Sequence, residues 1–278
     1  MTLRPVVNVI KEKCVNCHRC IMVCPVKMCN DGSEEVIMHR SDLCIGCGRC
    51  IKACTHGARV GIDDFNAFIE DIKTERIVVI MSPAIVSSFG VNYLKVNGFL
   101  RSLGVVAVFD ASFGAELAAK SYINYMEKTN LATIIVQYCP SIVSYIEMYR
   151  PELIPHLAPV DSPVIHTMKM VRKYYPQYAD CKFAAISPCY SARREFDSVG
   201  IGDYNVTFIS MLDYIKDHAI DINKYAEVGY GNPPAERAVL FPLLGGFRQI
   251  IRRYKADIID KSRRIEGEVV YKYLAYLP

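Results

Sequence analysis

Beyond residue 75 the apolar positions fall into short β-branched runs that alternate with longer amphipathic stretches. Ile77–Met81 is a continuous apolar run closed by Ser82 and Pro83, and reads as a strand covered on both faces. Val105–Phe109, Thr133–Gln137 and Phe183–Ile186 read as further strands. Val91–Leu103, Gly114–Lys128, Ser141–Tyr149 (stopped by Pro151) and Val164–Tyr175 read as helices, and Ala192–Asp197 as the start of another. Strand and helix in alternation, with Gly and Pro between them, predict an α/β fold: an open, mostly parallel sheet with helices on both faces. The pattern weakens after residue 225, and Glu268–Tyr276 reads as a last helix. Upstream, Asp63–Glu75 reads as a polar, amphipathic helical bridge. Residues 1–62 show no such period; Asn30–Ser33 is a turn signal and Glu35–His39 a short strand. The chain is therefore expected to divide into a small α+β unit over 1–70 and an α/β unit over 71–278.

Twelve cysteines change this picture. Eight of them form two copies of one spacing. The first is Cys14-x2-Cys17-x2-Cys20-x3-Cys24, followed by Pro25; the second is Cys44-x2-Cys47-x2-Cys50-x3-Cys54, followed by Thr55. The opening MTLRPVVNVIKEKC has no apolar signal-peptide core. Two regular quartets in such a chain point to metal rather than disulfides, and to a cytoplasmic setting. The spacing is that of a cubane iron–sulfur site, in which three close cysteines hold one cluster and the fourth reaches the other. Cys14, Cys17, Cys20 and Cys54 are then expected to bind one 4Fe–4S cluster, and Cys44, Cys47, Cys50 and Cys24 a second. Small Gly46 and Gly48 let backbone N–H groups approach the sulfurs. A structural zinc site is the plainer alternative, but it uses two cysteine pairs rather than a four-cysteine run twice over. Cys29 lies outside both runs and reads as a buried thiol rather than a ligand.

Composition narrows the classes that remain. The chain is 51% hydrophobic and 22% charged, a globular balance that excludes a disordered chain. Its longest apolar stretch, Ile77–Val86, falls far short of the roughly 20 residues of a membrane span. The net charge of +4 is no nucleic-acid footprint: two oxidised cubanes of about −2 each would cancel it. The basic residues are scattered and dense only over Arg248–Lys255 and Lys261–Arg264.

The cysteine-rich module, over residues 5–62, resembles the bacterial two-cluster ferredoxins, which implies one-electron transfer along a chain of clusters. Three cysteines lie beyond it. Cys139 follows one expected strand and Cys189 another, so both are expected at the C-terminal ends of strands, where open α/β sheets place their sites. Two ordinary buried thiols are the plain alternative. Cys181 sits in a polar link and reads as structural.

Over residues 75–278 the chain resembles the catalytic domain of FeFe hydrogenases. YCPSIVSYIEMYRPELIPHL is similar to that family's first cysteine signature and SPCYSARREF to its second. MSPAIVSSFG, VFDASFGAELA and LFPLLGG are similar to segments in the same order. The resemblance implies that Cys139 and Cys189 are two of the four ligands of a further cubane, one of which also bridges to a two-iron unit. The other two ligands belong to a third, Cys/Gly-rich signature, which does not appear before Pro278; a truncated chain, or an element supplied from elsewhere, is expected.

Other positions depart from the family pattern. Tyr138 stands at the relay cysteine, Ala192 at the signature lysine, and Ile142 at the signature tryptophan. Ser121 and Tyr122 stand where an acidic pair is expected. These departures fit a divergent, sensory branch. The expected function is an iron–sulfur redox protein that passes electrons through two 4Fe–4S clusters to a hydrogenase-like domain, sensory or inactive as given. In a complete protein a third cluster is expected at Cys139 and Cys189. An active hydrogenase completed by a missing segment, a cluster-assembly scaffold and a ferredoxin carrier fused to an inert domain are the alternatives. The expected partner is a redox protein, ferredoxin or another electron carrier, with no nucleic acid and no membrane span.

Overall fold

The computed structural model describes residues 3–257, 262–265 and 267–277. Lys261 of the second basic run and the chain end at Pro278 lie outside the described residues. The N-terminal unit is built from two copies of loop plus short helix, α1 (Arg19–Val23) and α2 (Arg49–Ala53), which pack on each other. Two small antiparallel pairs close it. β1 (Val7–Val9) pairs with β4 (Arg59–Gly61), and β2 (Asn30–Asp31) with β3 (Met38–His39). The strand expected at Glu35–His39 is thus confined to its last two residues.

α3 (Phe65–Asp71) leads into the second unit. There β5 (Ile77–Met81), β6 (Ala107–Asp110), β7 (Lys182–Ser187) and β8 (Tyr204–Thr207) form one parallel sheet in the order β6-β5-β7-β8. β5 has no exposed side chain because both faces are covered. Val78 and Ile80 face one apolar layer, with α6 (Ala111–Lys128), α8 (Pro163–Tyr174) and α11 (Gly246–Tyr254). Ile77, Val79 and Met81 face the other, with α3, α5 (Tyr93–Leu103) and α10 (Phe208–Asp217). A short α4 (Val86–Phe89), α7 (Pro140–Tyr149), α9 (Ala192–Val199) and α12 (Val270–Ala275) complete the helices used below. No helix among the described residues is long and apolar enough to cross a membrane.

Two expectations need correction. Thr133–Gln137 is not a strand of the sheet. Its half-buried backbone pairs locally instead: the Ile135 N–H donates to His156 O at 2.7 Å and the Ala158 N–H to Ile135 O at 3.0 Å. β8 went unread because Tyr-Asn-Val-Thr lacks an apolar run. Its edge is completed by the linker: Asp64 Oδ2 accepts from the Asn205 N–H at 2.9 Å and Asp63 Oδ2 from the Thr207 N–H at 2.8 Å. A strand whose ladder is finished by distant carboxylates carries little local signal.

Candidate metal centres

Each cysteine run is shaped by left-handed residues that turn the chain around a point. Asn16 (φ 47°) and His18 (φ 61°) do so in the first, and Gly46 (φ 78°) and Gly48 (φ 71°) in the second. The third cysteine of each run, Cys20 or Cys50, is the second residue of α1 or α2 and is buried. The second set then converges. Cys24, Cys44, Cys47 and Cys50 line one cavity, with Cys29, Asn30 and His39 also on its wall. The Gly46 N–H donates to Cys44 Sγ at 3.3 Å. Among the described residues no three His, Cys, Asp or Glu side chains close on a single point as ligands of one ion do. The four thiols line the wall of that cavity, an arrangement that suits a cluster with metal at several corners.

Burial pushes the Cys47 thiol up to about 11 and Cys50 up to about 12. Cys29 is hydrogen-bonded to Cys24 and Cys44. It keeps its proton and holds both neighbours well below the ordinary thiol range. The first set is more open, with Cys17 exposed and Cys14 and Cys54 half-buried. At Cys54, burial opposes ionisation, but the backbone N–H groups of His56, Arg59 and Ala58 outweigh it and lower the thiol's pKa. Arg59 is 4% exposed. Its Nη2 donates to Cys20 Sγ at 3.5 Å and to Ile37 O at 3.0 Å, while Nη1 is buried with no partner among the described residues. A buried guanidinium with a donor to spare, set among thiols, suits an anionic group. The all-thiol donor set, the N–H donors and this cation fit iron–sulfur clusters.

Cys189 lies just beyond the C-terminal end of β7, where the Asn205 side chain donates to its carbonyl at 3.0 Å. Cys139 is the N-cap of α7 rather than the end of a sheet strand, which follows from the correction at Thr133–Gln137. The two loops still meet. Cys189 Sγ lies 3.4 Å from Ser191 Oγ, and Ser191 Oγ lies 2.9 Å from Ser141 Oγ in the first turn of α7. Burial raises both thiols, Cys189 to about 11, with the neighbouring charge of Cys139 adding to it. Cys181 is buried at the N-terminal end of β7, away from them.

The Cys189 loop also docks on the second cysteine run. A Cβ on Gly46 would lie 2.9 Å from Ser191 Cβ, and a Cβ on Gly61 would run into the Tyr190 ring at 1.9 Å. Arg194, 8% exposed, donates to Cys44 O at 2.9 Å, Arg4 O at 3.3 Å and Ser144 Oγ at 3.3 Å. Its neighbour Arg193 points elsewhere and pairs with Asp64 and Asp197. Arg59 carried no sequence signal.

The departing positions are occupied by packed side chains. The Tyr138 ring lies against Phe241 and Phe247, and its hydroxyl donates to Phe241 O at 3.4 Å. Tyr122 donates to Gln137 O, and Ser121 Oγ lies 3.0 Å from His166 Nε2. Ala192 is buried in the sheet's apolar layer, and Ile142 is partly buried beside Ile45.

A doubled cysteine run docked on a parallel α/β sheet defines an iron–sulfur redox protein. Comparison with known proteins sharpens this. The family described as iron only hydrogenase large subunit, C-terminal domain, matches residues 75–274, and a 4Fe-4S dicluster domain matches residues 13–59. The chain belongs to the iron-only hydrogenase large-subunit family. Iron hydrogenase 1 of Clostridium pasteurianum is 26% identical over 217 residues, covering 68% of this chain and 38% of that protein. The FeFe-hydrogenase HydA1 of Chlamydomonas reinhardtii shares the fold with a TM-score of 0.57 at 18% identity, over 69% of this chain and 58% of that one. A structure from a study of stepwise H-cluster assembly matches with a TM-score of 0.53 at 19% identity, over 62% and 51%. The chain thus spans well under two thirds of the length of these relatives.

Proposed function

We propose that this chain is an electron-transfer protein with two 4Fe–4S clusters, one on Cys14, Cys17, Cys20 and Cys54 and one on Cys44, Cys47, Cys50 and Cys24. Cys139 and Cys189 would supply two thiolates to a third cluster, which would take up electrons beside the second set. The observation that carries the reading is the contact between the cavity of the second set and the loops bearing Cys139 and Cys189. Each cubane, when bound, supplies one-electron redox chemistry. The chain's own residues surround that chemistry with positive charge and donors: Arg59 beside Cys20, the Gly46 N–H at Cys44, and Arg194 between the two units. The outer, exposed side of the first set, around Val15 and Cys17, receives the redox partner, a ferredoxin or other electron carrier. Neither a nucleic acid nor a membrane takes part, and the setting is cytoplasmic. The cluster-binding unit is taken as residues 1–70 and the hydrogenase-like unit as 71–278, with α3 as the link that packs on the sheet.

As given, the chain is sensory or silent toward hydrogen. A phenol, ordinarily a weaker acid than a thiol, stands at Tyr138 and relays protons poorly, and Ala192 offers no cation. Anaerobic reconstitution should give about eight irons per chain, reducible by dithionite and visible by paramagnetic resonance. Hydrogen–deuterium exchange activity should be absent. About four irons, or robust exchange by this 278-residue chain, would overturn the reading. A second reading, hydrogen turnover, is favoured by the match of residues 75–274 to the iron-only hydrogenase large-subunit family. It predicts exchange activity only when a downstream Cys/Gly-rich segment is joined to the chain.

A further inference from the structure

The cavity of the second cysteine set holds one thiol more than a cubane needs. Cys24, Cys44, Cys47 and Cys50 account for four corners, and Cys29 lies on the same wall. Cys29 is 2% exposed, and its Sγ is 3.4 Å from Cys24 Sγ. Two thiolates on one tetrahedral metal, at about 2.3 Å each, lie about 3.8 Å apart. The two sulfurs are therefore close enough to serve the same corner, and too close to serve two corners independently.

The backbone holds Cys29 there. Lys27 takes a left-handed conformation (φ 56°), and the Asn30 N–H returns to Lys27 O at 3.1 Å, so the chain doubles back on Cys24 within five residues. The Arg40 N–H then fixes Cys29 O at 2.8 Å, next to the β2–β3 pair. A left-handed lysine is a costly way to turn a chain that Pro25 has already directed away from the cluster. The turn's product is a second sulfur at the Cys24 corner.

We propose that Cys29 is a reserve ligand for the second cluster, able to replace Cys24 on the same iron. This rests on the two-cluster reading above. In the exchange the Fe–S bond to Cys24 breaks and one to Cys29 forms. Cys29 gives up its thiol proton and the released Cys24 thiolate takes one up, so neither iron nor sulfur changes oxidation state.

The test is iron content and paramagnetic resonance of the full chain after anaerobic reconstitution. Wild type and Cys29→Ala should each hold about eight irons, and Cys50→Ala, which has no reserve, about four. Cys24→Ala and the more conservative Cys24→Ser should both keep about eight, with an altered resonance from the second cluster. Cys24→Ala/Cys29→Ala should fall to about four. If both single Cys24 variants fall to the level of the double variant, the inference is overturned. If wild type itself fails to reach eight, the two-cluster reading fails instead.

Discussion

The two cysteine runs share a spacing and a turn, but not a setting. Val15, the residue after the first cysteine of the first run, is 60% exposed; Ile45, its counterpart in the second, is 1% exposed. Ile45 is covered by Tyr145 and Ile146 of α7 and by Tyr271 and Leu274 of α12. The turn residues differ for the same reason. The first run uses Asn16 and His18 at positive φ, with the Asn16 side chain donating to Glu34 O and His18 exposed. The second uses Gly46 and Gly48, against which Ser191 and Tyr190 pack. Glycine adopts this conformation without steric cost and lets a neighbouring loop approach closely. One ligand pattern has thus been set in two environments, one facing outward and one facing the hydrogenase-like unit. That polarity is what a directed electron path requires.

The largest effect should come from removing the side chains that differ most. Ile45→Ala should cost about 3 kcal/mol, as other large-to-small changes at fully covered sites do, whereas Val15→Ala should stay within about 0.5 kcal/mol. Comparable losses from the two variants in denaturant titration would erase the distinction between the runs. Next in size is Arg194→Leu. It strands the Cys44 and Arg4 carbonyls and Ser144, which together should cost about 2–3 kcal/mol. It should also make the second cluster harder to reduce while leaving the first unchanged in a redox titration. Equal shifts in both clusters would contradict the placement of Arg194 at the second alone.

The α/β unit behind the second run should also carry a pH dependence. Glu195 on α9 accepts from the Ser162 N–H at 2.7 Å, and burial pushes its carboxyl from 4.5 up to about 7. Between those values the folded chain holds a proton that the unfolded chain has lost. Its stabilising contribution is therefore whole below about 4 and fades as pH rises through 7, by on the order of 2 kcal/mol. Glu195→Gln should flatten this part of the stability–pH curve. A wild-type melting temperature as steady as the variant's from pH 5 to 8 would refute it. The smallest effect is expected from His18→Gly, which makes the first run resemble the second. His18 is exposed, so the change should fall within about 0.5 kcal/mol, while Gly48→His should lose more because a bulky side chain is forced into a left-handed conformation (φ 71°) beside the Tyr190 ring. Thermal melts of the pair read the difference.

The sequence alone determined the parts whose signal is local. The doubled cysteine spacing announces a 4Fe-4S dicluster domain. β5 announces itself as a strand covered on both faces because all five of its side chains are apolar, and the helices from α5 to α9 by their period. The family followed from the order of segments along the chain, which needs no geometry. What remained closed was whatever depends on residues far apart in sequence. Thr133–Gln137 has the composition of a strand, but the sheet gives its edge to Tyr204–Thr207, which two carboxylates more than a hundred residues upstream complete. Cys29 and Arg59 look unremarkable in the chain. Only folding places one at the Cys24 corner and the other, buried, beside Cys20. The asymmetry of the two runs is likewise invisible in their common spacing. Spacing fixes which atoms can share a cluster, while burial, charge and contact are sums over neighbours that only the tertiary fold brings together.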